Sequence, residues 1–292
     1  MEQPDVSVVV VTFNALPWLE QCLDSVRGHD VVVVDHGSTD GTVELARTRG
    51  VRVIEQENKG MGGGNNAGMR ATDGRYYLLL NSDAWVVRAD GVQRLVEFAD
   101  AHPEAAVVGP KLLNPDGSLQ RSVRGEPTLW RLATEYLYIR KLAPRSRRLN
   151  PLYRGDFAHD RVEAVDWVYG PALLVRREAA DAVGLFDEDF FMFSEEVDWM
   201  TRFRRAGWSV VFFPDAEVVH VGGASHGGSL YVENLRGHLR FMAKHRGTKE
   251  AERVRRLLLW SLRLRALVLR REDYREGVRF LSSGNVRSLL SK

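Results

Sequence analysis

The chain has 292 residues, 44% hydrophobic and 27% charged, with a net charge of +2; this ordinary globular composition excludes disordered, collagenous and disulfide-scaffold proteins and leaves room for one large α/β domain or two smaller ones. Its one cysteine, Cys22, admits no intrachain disulfide and no multi-cysteine zinc or iron–sulfur site, and suits a reducing compartment. No stretch reaches the ~18 apolar residues of a membrane span, and the polar, acidic Met1–Asp5 does not fit a signal peptide.

Val6–Phe13 is a near-continuous β-branched run, the pattern of a parallel strand buried on both faces. Pro17–Arg27 has Leu19, Leu23 and Val26 at helical spacing, with Pro17 placed to open a helix. A strand at Val31–Val34, a helix at Thr42–Arg49 ended by Gly50, and a strand at Val51–Ile54 follow. A helix is expected at Asn65–Thr72, a strand at Tyr76–Leu80, a helix at Gly91–His102 and a strand at Ala105–Gly109. This alternation means βαβ units around a mostly parallel sheet flanked by helices. Asn114–Gly117 reads as a turn, and Leu142–Asp160 lacks periodicity and reads as a mobile loop. Two short strands are expected in Val165–Val175 around Gly170-Pro171, then a helix at Glu195–Ala206 and strands at Val210–Phe213 and Val218–Val221. From Tyr231 onward the chain reads as helical, a C-terminal extension of a domain spanning 1–230.

Ligands of open α/β sheets sit at the carboxyl ends of the strands. Thr12-Phe13-Asn14, Asp35 to Gly41, and Asn81-Ser82-Asp83 each follow a strand at once, so they converge on one rim. Asp40 reads as a helix cap, whereas Asp35 and Asp83 end apolar strands where a ligand would bind. Residues 62–67 fit G-x-G-x-x-A, but they follow the third strand rather than the first, which argues against a nicotinamide-dependent oxidoreductase. Glycines opening a helix beside asparagines still suit close approach to a sugar or phosphate. Glu195, Glu196 and Asp198 crowd a helix start that Ser194 can cap. Phe190, Phe191 and Phe193 beside them would raise a carboxylate's pKa, which suits a general base. His220 ends a strand and is followed by Gly222-Gly223-Ala224-Ser225.

These motifs, with Asn58 to Gly68 and Arg205-Ala206-Gly207-Trp208, stand in an order that resembles family 2 glycosyltransferases of the GT-A fold, over roughly residues 5–226. More narrowly the chain is similar to the bacterial rhamnosyltransferase-like branch that builds surface polysaccharides. The resemblance implies an inverting transfer from a nucleoside-diphosphate sugar, dTDP-rhamnose first and a UDP-sugar second, to a glycan or polyprenyl-linked glycan. It implies a nucleotide-sugar half at 1–110 and an acceptor half at 111–230. Thr12, Asn14, Asp35, Gly62, Asn65, Asn66, Asn81, Ser82 and Asp83 would meet the donor, with Asp35 accepting the imide N–H of uracil or thymine. Asp83 and His220 would hold Mg²⁺ or Mn²⁺. Glu196, with Glu195 as the alternative, would be the base, and Asp198, Trp167 and Gly170 would lie on the acceptor side. Two positions depart from the family: His36 replaces the usual Asn, and the acidic pair ends in Glu rather than Asp. A catalytically inactive nucleotide- or glycan-binding protein is the competing class, and nucleic acid is not an expected partner.

Charge is unevenly spread: Tyr231–Lys292 holds 16 Lys+Arg and 6 Asp+Glu, a local +10. Arg253, Arg256, Arg263 and Arg270 share one helical face, flanked by Arg255 and Arg271, and Leu257, Leu258, Trp260, Leu262, Leu264, Leu267 and Leu269 share the other, with Arg265 the exception. Such a helix either lies on the inner surface of a membrane or packs its leucines on the catalytic domain. The expected location is cytoplasmic, with peripheral membrane contact under the first reading.

Overall fold

The structure, a computed structural model, describes residues 5–222 and 230–291, so Gly223-Ala224-Ser225 lies outside the described residues. The first half alternates as expected: β1 (Val6–Thr12), α1 (Leu16–Ser25), β2 (Asp30–Asp35), α2 (Thr42–Thr48), β3 (Arg52–Glu55), α3 (Gly60–Arg70), β4 (Tyr76–Asn81), β5 (Ala84–Val86), α4 (Gly91–Ala101) and β6 (Ala105–Leu113). The second half brings β7 (Leu119–Gln120), β8 (Val123–Arg124), α5 (Leu129–Tyr136), a 3₁₀ turn at Ile139–Lys141, β9 (Glu163–Ala164), β10 (Trp167–Val168), β11 (Ala172–Arg176), α6 (Arg177–Val183), α7 (Glu195–Arg205) and β12 (Ser209–His220). Four helices close the chain: α8 (Tyr231–Arg246), α9 (Thr248–Leu269), α10 (Glu272–Ser282) and α11 (Val286–Leu290).

One sheet runs β3-β2-β1-β4-β11-β6-β12-β5. β1 pairs parallel with β2 and β4, and β6 with β12, while β11 is antiparallel between β4 and β6. Val8, Val9 and Val10 are fully buried, because successive side chains meet helices on opposite faces of the sheet. The antiparallel β11 starts at the rim where β1, β2 and β4 end, since Ala172 lies opposite Leu80. It therefore delivers Tyr169-Gly170-Pro171 to the rim that carries Thr12, Asn81 and Asp83.

Several expectations are corrected. α3 starts at Gly60 rather than Asn65, and two of its glycines are required by close packing. A Cβ on Gly68 would lie 2.2 Å from Val9 Cγ1, and one on Gly60 would lie 1.7 Å from the carbonyl oxygen of Phe191. The helix thus rests directly on β1, and residues 62–67 fall inside it rather than in a loop that follows the first strand. The two strands expected near 210 and 218 are one strand, β12, with a register shift between Phe213 and Glu217. Residues 142–160 have no helix or strand but are tied down: Phe157 is fully buried, and His159 Nε2 accepts from the backbone N–H groups of Ser122 and Val123.

The C-terminal helices share a hydrophobic cluster with α5 and Phe190, built on Leu235, Leu239, Leu258 and Leu262. Arg265 neither snorkels nor faces solvent alone. It donates to the carbonyls of Glu135 and Tyr136, satisfying the end of α5, where Ser261 Oγ also donates.

Candidate active site

A cleft of about 1080 Å³, its open mouth included, lies over the carboxyl ends of the strands. Thr12, Asn65, Asn81, Ser82, Asp83, Gly170, Glu195, Glu196 and His220 line it, as the sequence motifs lead one to expect. His36, Met61, Tyr169, Met192 and Phe193 are also part of its wall, as are Phe13, Asn58 and Gly60.

Glu195 and Glu196 open α7, and both carboxylates are buried with an Oε2 atom that has no hydrogen-bond partner. Orphaned buried oxygens cost free energy unless a ligand completes them, so they mark a built site. Burial pushes Glu196 up to about 7. Burial, then the neighbouring Glu196 charge, pushes Glu195 well above the usual carboxylate range. Ser194 precedes the helix with φ +71° and makes no side-chain cap bond, so it does not cap α7 as expected. Its role is to turn the chain so that both glutamates enter the cleft. The aromatic surround is narrower than expected: Phe193 lines the cleft, but Phe190 packs into the C-terminal cluster and Phe191 faces outward.

Asp83 follows β4 and His220 ends β12, and His220 Nε2 lies 3.5 Å from Asp83 Oδ1. Gln120 decides the histidine tautomer. Its amide nitrogen donates to Asn114 Oδ1 and to the His220 carbonyl, so its Oε1 is left to accept from His220 Nδ1 at 2.8 Å. Nε2 then carries a lone pair that faces a carboxylate, an arrangement a shared cation satisfies. Burial also pulls the His220 pKa below its ordinary value, against the pull of Asp83, which favours the neutral, ligating imidazole. The donor set, one carboxylate oxygen and one imidazole nitrogen, suits Mg²⁺ or Mn²⁺ with the remaining positions left to phosphate and water. Among the described residues no cluster of three or more His, Cys, Asp or Glu forms a complete protein cage.

Other expected site residues act as braces. Asp35 accepts from Thr12 Oγ1, Ser38 Oγ and the N–H groups of Gly37 and Ser38, so both oxygens are fully engaged and it does not line the cleft. Its bonds present His36, whose Nε2 lies 3.1 Å from the Gln56 amide and whose pKa burial lowers. Asn14 fixes the same loop, accepting from Thr39 N–H. Asp40 accepts from Leu16 and Thr42, the structural part expected of it, although the residue before α2 is Gly41. Asn66 clamps Phe186 through both its backbone groups, and Gly62 gives room to the same Phe186 ring. Trp167 lies outside the cleft and donates to the Gly125 carbonyl.

Asp198 is also moved from the acceptor side, because its helix face turns toward α8. It is fully buried and pairs with His245 at 2.7 Å, Lys244 at 2.8 Å and Arg202 at 2.9 Å. Burial alone would raise its pKa, but the hydrogen bonds from His245 and Lys244 and the Arg202 charge hold it at about 2. Removing one partner of a buried ion cluster costs ~3–5 kcal/mol. Asp198→Ala should therefore lower the melting temperature strongly while nucleotide affinity at low temperature stays normal. A parallel loss of affinity in folded protein would return Asp198 to the site.

The family model described as glycosyl transferase family 2 matches residues 7–160. An N-acetylglucosaminyl-diphospho-decaprenol L-rhamnosyltransferase of Mycobacterium tuberculosis is 33% identical over 301 residues, covering 93% of this chain and 95% of the relative. Among solved structures, the mannosyltransferase PcManGT of Pyrobaculum calidifontis in complex with GDP-Man and Mn²⁺ is similar with a TM-score of 0.56 and 16% identity, covering 100% of this chain and 87% of that one. GalNAc-T7 with UDP, GalNAc and Mn²⁺ gives a TM-score of 0.60 at 16% identity over 82% of this chain, which spans 48% of that protein. At such identity the structural likeness concerns the fold.

Proposed function

The chain belongs to glycosyltransferase family 2, and from its cleft we propose an inverting rhamnosyltransferase that uses dTDP-rhamnose, or a UDP-sugar as the second choice, on a polyprenyl-linked glycan. The observation that carries the reading is the pair of buried glutamates with orphaned oxygens, sharing one cleft with Asp83 and the lone-pair face of His220. An inactive binding protein would have no use for those unpaired carboxylates. The mycobacterial relative, an N-acetylglucosaminyl-diphospho-decaprenol L-rhamnosyltransferase, supports the choice of rhamnosyl group and polyprenyl-linked acceptor. Such an acceptor places the reaction at a membrane surface.

The residues divide the work. The segment 1–110 forms the nucleotide side, with Thr12, Asn65, Asn81 and Ser82 offering polar atoms to the donor, and 111–230 forms the acceptor side with Gly170, Tyr169 and the glutamates. Glu196 accepts the proton of the acceptor hydroxyl as that oxygen attacks the anomeric carbon from the face opposite the diphosphate. The new carbon–oxygen bond forms, the carbon–phosphate-oxygen bond breaks, and the nucleoside diphosphate leaves with inversion. Asp83 and His220 would hold a divalent cation, which would supply positive charge to offset that of the departing diphosphate.

His36, which lines the cleft, rather than Asp35 itself, is the side chain of this loop placed to meet the base. UDP or dTDP with Mn²⁺ should raise the melting temperature and ADP should not, and His36→Ala should erase the difference. Equal shifts from every nucleoside diphosphate in the wild-type protein would remove base reading from this site. Transfer itself is tested by incubating the purified protein with dTDP-rhamnose and polyprenyl-diphospho-N-acetylglucosamine and weighing the product by mass spectrometry.

A further inference from the structure

α9 meets the protein with one face only. Ala251, Val254, Leu258 and Leu262 turn inward among α5, α8 and α10, while Trp260, Leu264, Leu267 and Val268 on the outer face are 61%, 51%, 76% and 67% exposed. The sequence had placed all the large apolar residues on one side and the arginines on the other. The structure instead interleaves Trp260 and Leu267 with Arg256, Arg263 and Arg270 on the solvent face, and buries a separate stripe. Leu142, 81% exposed, follows the 3₁₀ turn that meets α9 through Tyr138, the residue before the turn, whose ring lies 4.1 Å from the Arg265 guanidinium. Single exposed apolar residues are ordinary, but a set this close together marks a contact surface.

The rim of this surface is cationic. Arg253 and Arg256 are held by Glu250 and Glu252, but Arg263 and Arg270 have no carboxylate within 4.0 Å among the described residues. The same holds for Lys141, Arg145, Arg147 and Arg148 in the adjoining segment, whose Arg148 carbonyl accepts from the exposed Trp130 indole. Indole and leucine side chains among unpaired arginines match the boundary between lipid headgroups and acyl chains. A second copy of the chain fits less well, because a two-fold contact would set one cationic rim against the other.

We infer that the outer face of α9, with the adjoining Leu142 turn, docks the protein on an anionic lipid bilayer. Stacked side chains connect this face to the rest of the domain. Arg265 and Lys141 stack on Tyr138 at 4.1 and 4.5 Å, and Arg140 and Arg124 stack on Tyr153 at 4.7 and 4.6 Å. Arg124 in β8 pairs with Trp167 in β10, two residues before Tyr169 of the cleft. Of these cations, Arg140 and Arg265 are not free for a ligand, since Arg140 is paired with Glu135 and Arg265 donates to the carbonyls that end α5; they tie the docked face to the cleft-bearing domain, and the docking does not rest on the acceptor proposed above.

The test is co-sedimentation of the full chain with vesicles of phosphatidylcholine alone or mixed with phosphatidylglycerol, without nucleotide or acceptor. Binding should require phosphatidylglycerol and weaken with salt. Arg263→Gln should lower partitioning about five-fold, the equivalent of the ~1 kcal/mol that a basic residue contributes near an anionic leaflet. Trp260→Ser with Leu267→Ser should abolish binding while the melting temperature and transfer to a short, water-soluble acceptor stay as in wild type, since both side chains face outward. Failure to bind phosphatidylglycerol vesicles, or unchanged binding by these variants, overturns the inference. So does a dimer in solution that the serine variants dissociate while vesicles are ignored. Transfer to the soluble acceptor reports on the enzymatic reading separately, so the two can fail independently.

Discussion

Glutamine at position 196 should leave donor binding intact and lower turnover by at least the ~10²-fold typical of losing a general base. Glu196→Gln keeps the shape and the buried volume, so the cleft stays formed, but an amide cannot take the acceptor's proton. The carboxylate is suited to the task because burial sets it at about 7, close to a neutral working pH. Isothermal titration with UDP or dTDP, beside single-turnover transfer, separates binding from chemistry. Glu195→Gln is the control. It lies in the same cleft with an equally orphaned oxygen, so near-normal rates in Glu196→Gln with a dead Glu195→Gln would move the base one residue.

The same residue fixes two pH dependences of opposite sense. Turnover should rise with pH and level off above about 7 as Glu196 loses its proton. Stability should move the other way. An unfolded glutamate titrates near ~4.3, so between that value and about 7 the folded state holds more protons than the unfolded one. Unfolding free energy therefore falls as pH rises through this window and is flat above it, apart from the further contribution of Glu195. Chemical denaturation across the window should show the slope in wild type and a shallower one in Glu196→Gln. Identical slopes would mean that the carboxyl titrates normally in the folded protein.

How far the sequence discloses this site depends on how local each role is. Strand ends are local, so Thr12, Asn81 and Asp83 could be placed on one rim from apolar runs alone, and the parallel pairing of β1, β2 and β4 brings those ends together; His220 entered the site only through the family resemblance and lines the same cleft. Asp35 sits on the same rim, yet its carboxylate is consumed by bonds to Thr12, Gly37 and Ser38, and only the folded loop shows that His36 lines the cleft. Asn66 and Asp198 read as site residues because their motif neighbours are, but they face Phe186 and α8, 120 and 47 residues away in sequence at the bonded positions. Gln120 carried no signal at all. Its value lies in a bond to His220 across 100 residues. Tyr169 might have been suspected from its place beside Gly170-Pro171, but only the antiparallel entry of β11 brings it to the rim. Helical pattern likewise gave the existence of α9 but assigned its faces wrongly, because burial there is divided between two stripes rather than one.

Asp83→Asn should be as damaging as the loss of the base, for a different reason. The variant keeps the side chain's shape and leaves the backbone bond between the Val221 N–H and the residue-83 carbonyl untouched, so the fold should persist. What it removes is the negative charge beside His220, and with it the stronger of the two ligands proposed for a divalent ion. If that charge accounts for only ~3–4 kcal/mol of the stabilisation of the leaving diphosphate, transfer falls by about 10²–10³-fold at ~1.4 kcal/mol per decade. His220→Ala should weaken Mn²⁺ binding less, since water can replace an imidazole. Gln120→Leu should weaken it by ~10-fold or more by releasing the tautomer that keeps Nε2 free. Mn²⁺ affinity read by electron paramagnetic resonance orders these three variants without reference to catalysis. Full turnover in excess chelator, or an Asp83→Asn protein that binds Mn²⁺ as wild type does, would leave Asp83 a structural partner of the Gly222 amide and nothing more.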